Sequence, residues 1–231
     1  MVRLPPDTVG DRVTSRRLVL WRHGRTSWNS INRFQGQEDV PLDEVGIDQV
    51  RRAAQTLIGL KPTHIIASDL ERAHNTALAL AELAGLDVVT NPDLRETFAG
   101  QWQGLTRTEI IERYPDDFAV WGGDPQIRPG GGETAIEVSN RVTRAIEQAL
   151  EDVPAGGTLV VASHGGALRA ALGQLLALDP QQWTALGVLA NAQWSMLIEL
   201  DEKMPRPPGL KWRLQEYNAG SLPEPAMGDD R

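Results

Sequence analysis

The chain contains no cysteine. Disulfides, thiolate metal sites and cysteine nucleophiles are therefore excluded, and the absence fits a reducing compartment. No apolar run approaches the roughly 20 residues that cross a bilayer. Residues 1–17, polar and carrying Pro5-Pro6, lack the apolar core of a secretory signal. An excess of positive charge is missing too: the net charge is −8, which argues against nucleic acid and anionic membranes as principal partners. There is no internal repeat, no low-complexity tract and no interior linker. One domain is expected at residues 16–222, between a loose leader (1–15) and an acidic tail (223–231). With 231 residues, 41% of them hydrophobic, such a domain buries roughly 70% of its unfolded surface. The expectation is a cytoplasmic protein whose partner is a small molecule, which a local arginine cluster allows to be phosphorylated.

What is present begins with Leu18-Val19-Leu20-Trp21-Arg22-His23-Gly24-Arg25-Thr26. Four apolar residues without alternation read as a strand covered on both faces. In open α/β sheets the ligand crevice lies outside the carboxyl ends of such strands, which is where Arg22 and His23 fall. A guanidinium beside an imidazole disfavours protonation and keeps the ring nucleophilic. Alternatively, His23 simply ends the strand while Arg22 reaches water. The loop Thr26 to Pro41, with Asn29, Gln35 and Gly36, suggests a wall of a site.

From Asp43, a plausible cap, apolar residues recur at helical spacing to Ile58. Residues 63–68 form a second buried strand, followed at once by a helix start carrying Arg72. Leu86 to Val89 makes a third strand, a short helix begins near Thr106, and Pro125 to Gly132 reads as a flexible loop. Thr134 to Leu150 is an amphipathic helix. Residues 158–169 repeat the opening design, an apolar strand followed by His164, Gly165 and Gly166. Paired glycines there leave free N–H groups at a helix N-terminus, a natural anion site. Gln193 to Leu200 and Gly209 to Tyr217 read as late antiparallel strands. Strand and helix in alternation imply parallel pairing by right-handed crossovers. The fold class is thus α/β, a three-layer αβα sandwich with a mostly parallel central sheet and an antiparallel edge. In such a sheet Arg22, His23, Arg72 and His164 lie along one edge and can converge on a tetrahedral dianion. The carboxylates and histidines show no metal-ligand spacing, so no metal is expected. His64 and His74 read as structural, and the seven tryptophans as core or pocket-rim packing.

Four segments also carry a resemblance: residues 20–26, residues 68–77, residues 94–97 with 100–104, and residues 163–166. In this order they are similar to the histidine phosphatase superfamily, in its phosphoglycerate-mutase-like branch, over about residues 17–200. The resemblance implies that His23 attacks phosphorus and carries a phosphohistidine, with no cofactor. It implies that Arg22, Arg72 and His164 hold the phosphoryl oxygens, and that Glu96 protonates the departing alkoxide and then takes a proton from water. Asn29, Gln35, Gly36 and Gly165 match substrate- or phosphate-contacting positions. Arg25 departs from the Glu or Gln usual in this branch; it either adds charge at the mouth or points outward.

Cofactor-dependent mutases of the superfamily carry a long basic insertion where this chain has only residues 97–133, with Arg107, Arg113 and Arg128 as its cations. A phosphatase is therefore favoured over a phosphoglycerate mutase. Residues 100–106, 211–214 and 217–219 are similar to those of actinobacterial glucosyl-3-phosphoglycerate phosphatases. That likeness implies a homodimer and a sugar framed by the first loop and the segment near Leu214, a broad-specificity acid phosphatase being the other alternative.

Overall fold

The apolar runs become the six strands of one sheet in the computed structural model, which describes residues 15–201, 203 and 205–220. They are β1 (Arg17–Arg22), β2 (His64–Ala67), β3 (Val88–Thr90), β4 (Thr158–Ser163), β5 (Trp194–Glu199) and β6 (Trp212–Ala219). Their spatial order is β3-β2-β4-β1-β5-β6. The first four run parallel, while β5 and β6 add antiparallel pairs at one side. This is the expected α/β sandwich. The tail and, apart from Ser15, the leader lie outside the described residues.

Strand β1 shows why alternation is absent from the sequence. Leu18 and Leu20 enter the core under one helical layer, whereas Val19 and Trp21 enter the core on the other face. All four are fully buried, each worth roughly 1.5–3 kcal/mol relative to exposure. β4 repeats the arrangement, with Leu159 and Val161 on one side and Val160 and Ala162 on the other.

The helices are α1 (Ser27–Ser30), α2 (Glu44–Leu57), α3 (Glu71–Ala84), α4 (Arg107–Arg113), α5 (Pro115–Val120), α6 (Ala135–Glu151) and α7 (Gly165–Leu175). Polar residues start most of them as their chemistry dictates. Asp43 accepts the Gly46 N–H, and Thr106 with Glu109 and Thr134 with Glu137 form capping boxes. Helix α3 has Leu70 at its cap position and no side-chain cap of its own. Asp39, from the loop after β1, supplies the missing acceptor to Glu71 N at 2.8 Å. Helices α6 and α7 cover one face; α2 and α3 cover the other. A third cluster of Phe34, Ala99, Trp102 and Ile110 joins the loop after β1 to α4 and α5.

Three local expectations are corrected. The third strand starts at Val88, because Gly85 ends α3 in a left-handed turn and Leu86 N–H bonds back to Ala81 O. The long loop after β1 opens with one helical turn, α1, closed by the Thr26–Asn29 capping box. Residues 125–132 form a packed turn: a Cβ on Gly132 would lie 1.8 Å from Phe98 O, so the glycines serve close approach.

Candidate active site

Because β4 lies between β2 and β1, its carboxyl end sets His164 between the strand end bearing Arg22 and His23 and the one leading to Arg72. All four side chains are buried. The rings of His23 and His164 meet edge to face, with centroids 5.2 Å apart. His23 Nδ1 lies 2.7 Å from Gly24 O. A carbonyl can only accept, so Nδ1 donates and the lone pair resides on Nε2. Burial, then the charges of Arg72 and Arg22, hold the His23 imidazole well below its ordinary pKa, against the pull of that hydrogen bond. Burial and the charge of Arg72, with His23, Arg141 and Arg22 behind, do the same to His164. Neither ring nitrogen of His164 makes a hydrogen bond among the described residues. A neutral, buried imidazole surrounded by guanidinium groups is built to receive an anion.

Backbone carbonyls orient both arginines. Arg22 Nη1 donates to Leu189 O at 2.6 Å, while Arg72 donates to Glu38 O and Gly36 O at 2.7 and 2.8 Å. Gly165 packs against the Arg22 guanidinium; a Cβ there would come within 3.2 Å of its Cζ and 2.5 Å of Val188 Cγ1. Asn29 is buried, and its Oδ1 accepts from Thr26 N, Thr26 Oγ1 and Asn191 Nδ2. That spends the acceptor and leaves the amide NH2 as the end suited to a phosphoryl oxygen. Gln35 is also buried, beside Gly36.

Glu96 joins the cup through α7. Its carboxylate accepts from Gly166 N at 3.0 Å, Ala167 N at 2.9 Å and Thr97 N at 2.8 Å. The helix N-terminus expected to be free for an anion is thus engaged by Glu96 itself, a favourable pairing of a carboxylate with the positive end of the helix dipole. Beside this acid opens a pocket that also includes Gly36, Phe34, Trp121, Trp183 and Arg169.

A model of the histidine phosphatase superfamily (branch 1) matches residues 18–212. The chain belongs to that superfamily. It is 36% identical over 214 residues to glucosyl-3-phosphoglycerate phosphatase of Mycobacterium tuberculosis, covering 90% of this chain and 96% of the relative. It is 34% identical over 188 residues to phosphoserine phosphatase 1 of Hydrogenobacter thermophilus, covering 81% and 88%. Among solved structures, a mycobacterial glucosyl-3-phosphoglycerate phosphatase complexed with VO3 superimposes with a TM-score of 0.81 at 37% identity, covering 89% of this chain and all of that one. This histidine phosphatase is accordingly a phosphoric monoester hydrolase. None of its described helices is long and apolar enough to cross a membrane. Among the described residues no group of three or more His, Asp or Glu is placed to hold a metal ion.

Leu214 pairs with Leu197 and its partly buried side chain packs on the core at the α6–α7 side of the sheet. The C-terminal strand also steadies the site. Tyr217 Oη donates to Gly187 O, and Asn218 Oδ1 accepts from Ala190 N at 2.8 Å, clasping the loop whose Leu189 carbonyl holds Arg22. Arg25 neither lines the mouth nor points freely outward. Its Nε donates to Asp43 Oδ2 at 2.9 Å, tying the strand end to the cap of α2.

Arg141 went unrecognised in the sequence. From α6 it makes a fork with Glu133, at 2.8 Å on both sides. It also donates to the carbonyls of Asp93, Arg95 and Glu96 at 2.8, 2.6 and 2.9 Å. It is the anchor of the segment that presents Glu96. A charged residue on an amphipathic helix reads as solvent-facing, and its partner Glu133 lies before the helix cap Thr134, so no helical spacing links the two in the sequence.

Proposed function

We propose that the protein hydrolyses a small, carboxylate-bearing phosphate monoester through a phosphohistidine at His23, with glucosyl-3-phosphoglycerate as the substrate. The observation that carries this reading is the neutral His23 ring, its proton on Nδ1 and its Nε2 lone pair in a cup with two arginines. In the first step a bond forms from Nε2 to phosphorus and the phosphorus–oxygen ester bond breaks. Glu96 gives its proton to the departing alkoxide. In the second, water attacks phosphorus, the phosphorus–nitrogen bond breaks and the proton from water returns to Glu96. Arg22, Arg72, His164 and the Asn29 amide stabilise the phosphoryl oxygens, where positioning and electrostatics supply most of the rate.

One finding supports a hydrolase over a mutase. None of Arg107, Arg113 and Arg128 lines the pocket; Arg128 is paired with Glu137 and Arg107 lies over the Phe118 ring. A separate finding concerns the substrate. The esters named for the two relatives, a glucosylated 3-phosphoglycerate and phosphoserine, share the skeleton phosphate–O–CH2–CH–carboxylate. The resemblance also carries a cytoplasmic homodimer, which sedimentation equilibrium would test. The direct test of function is phosphate release from p-nitrophenyl phosphate in EDTA, followed by a panel of phosphorylated metabolites ranked by kcat/KM. Turnover without added metal that His23→Ala abolishes is expected. Undiminished turnover by His23→Ala would refute the phosphohistidine. Interconversion of phosphoglycerates stimulated by bisphosphoglycerate would favour the mutase.

A further inference from the structure

The carbonyl oxygen of Glu96 has two acceptor sites, and both are taken. Arg141 Nη2 donates to it from α6 at 2.9 Å, and Gln37 Nε2 donates from the loop after β1 at 3.1 Å. Gln37 stands between the two residues whose carbonyls seat the Arg72 guanidinium, Gly36 and Glu38. Its own N–H donates to Gln103 Oε1 at 2.9 Å, and that oxygen also accepts from Ala99 N at 3.3 Å, three residues past Glu96. The Gln103 side chain lies close upon Gly36, where a Cβ would come within 2.2 Å of Oε1. Residues 36–38 thus bond to a phosphoryl-binding arginine through two carbonyls, and to the acid segment through one N–H and one side-chain amide.

We infer that Gln37 is a positioning residue that holds the Glu96 main chain in register with the seat of Arg72. The inference rests on the phosphatase reading above. The bridging oxygen of the ester is one bond from phosphorus. The group that grips the nonbridging oxygens and the group that protonates the bridging one must therefore keep a fixed separation. Arg141 ties Glu96 to α6, and the N–H groups of Gly166 and Ala167 tie its carboxylate to α7. Gln37 ties it to the loop that holds Arg72. Replacing the Gln37 side chain leaves the Gly36 and Glu38 carbonyls in place, because they belong to the main chain. The loss then falls on proton donation and spares the phosphate cup.

The test is leaving-group dependence. Gln37→Met keeps the length of the side chain without its amide, and Gln37→Glu keeps the shape while setting an acceptor against the Glu96 carbonyl. The kcat/KM, which excludes hydrolysis of the phosphohistidine, is measured on phosphoserine and on p-nitrophenyl phosphate, with vanadate inhibition as the reading of the cup. For phosphoserine it should fall about 2- to 13-fold in Gln37→Met, the range of one neutral hydrogen bond, and at least as far in Gln37→Glu. For p-nitrophenyl phosphate, whose leaving group departs without a proton, it should change less than about 2-fold, and so should the vanadate inhibition constant. Comparing two esters on the same preparation cancels any difference in folded fraction. Equal losses on the two esters, or a phosphoserine value unchanged in both variants, overturn the inference. Weakened vanadate inhibition also overturns it, since the effect would then lie in the seat of Arg72. Failure of the phosphatase reading itself looks different: wild type would release phosphate from neither ester.

Discussion

Replacing Arg141 by methionine keeps much of the apolar stem and removes the guanidinium. The side chain is only 12% exposed, and its five hydrogen bonds run from 2.6 to 2.9 Å. Its loss leaves the Glu133 carboxylate with the Phe98 N–H but no cation, leaves the Glu96 carbonyl to Gln37, and removes the donor to the carbonyls of Asp93 and Arg95. Breaking a buried pair by removing one partner costs about 3–5 kcal/mol. Glu133 is 25% exposed and stays partly hydrated, so the lower end, about 3 kcal/mol, is expected. For a chain of this size that lowers Tm by about 6–12 °C. Activity should divide by leaving group. Alkyl phosphates need a proton from a well-placed Glu96, and misplacement by an ångström costs about 10²-fold. p-Nitrophenolate leaves without that proton, so its ester should lose far less. Adding Glu133→Gln should recover part of the lost Tm, because no charge is then left uncompensated. Thermal melts and paired kinetics on an alkyl and an aryl phosphate decide the matter. A Tm within about 2 °C of wild type, or equal losses on both esters, would refute the anchoring role.

Acid should destabilise the fold before its carboxylates titrate. His23 and His164 are held neutral in the folded state, while their unfolded values lie near 6.5, so the unfolded chain binds more protons as pH falls through that value. Between pH 7.5 and 5.5 urea unfolding should show a loss of about 2.7 kcal/mol, halved in His164→Gln; a flat profile would contradict the neutral pair. Glu96→Gln should cut kcat on alkyl phosphates by about 10²–10⁴-fold and on p-nitrophenyl phosphate much less. A uniform loss on the two would show that Glu96 is not the proton donor. Arg22→Ala should weaken inhibition by vanadate, since it removes a guanidinium that the Leu189 carbonyl holds in the cup; unchanged inhibition would count against Arg22 as a phosphoryl contact.

Much of the molecule was written in local chemistry. The uninterrupted apolar runs at 18–21 and 159–162 specify strands buried on both faces, because each alternate side chain needs a core of its own. Asp43, Thr106 and Thr134 announce helix starts through their side-chain oxygens, and Arg22-His23 and Ser163-His164 announce the strand ends that face a ligand. Those signals need no knowledge of distant contacts. Other features belong to the three-dimensional arrangement. That β4 slots between β1 and β2, bringing His164 against His23, follows from pairing between residues 141 positions apart on one side and 95 on the other. The capture of Glu96 by the N-terminus of α7, the burial of Arg141 under the acid segment, and the placing of Arg169 in the wall beside Glu96 depend on which faces of separate elements meet. Periodicity tells which residues of an element are covered; only packing tells what covers them.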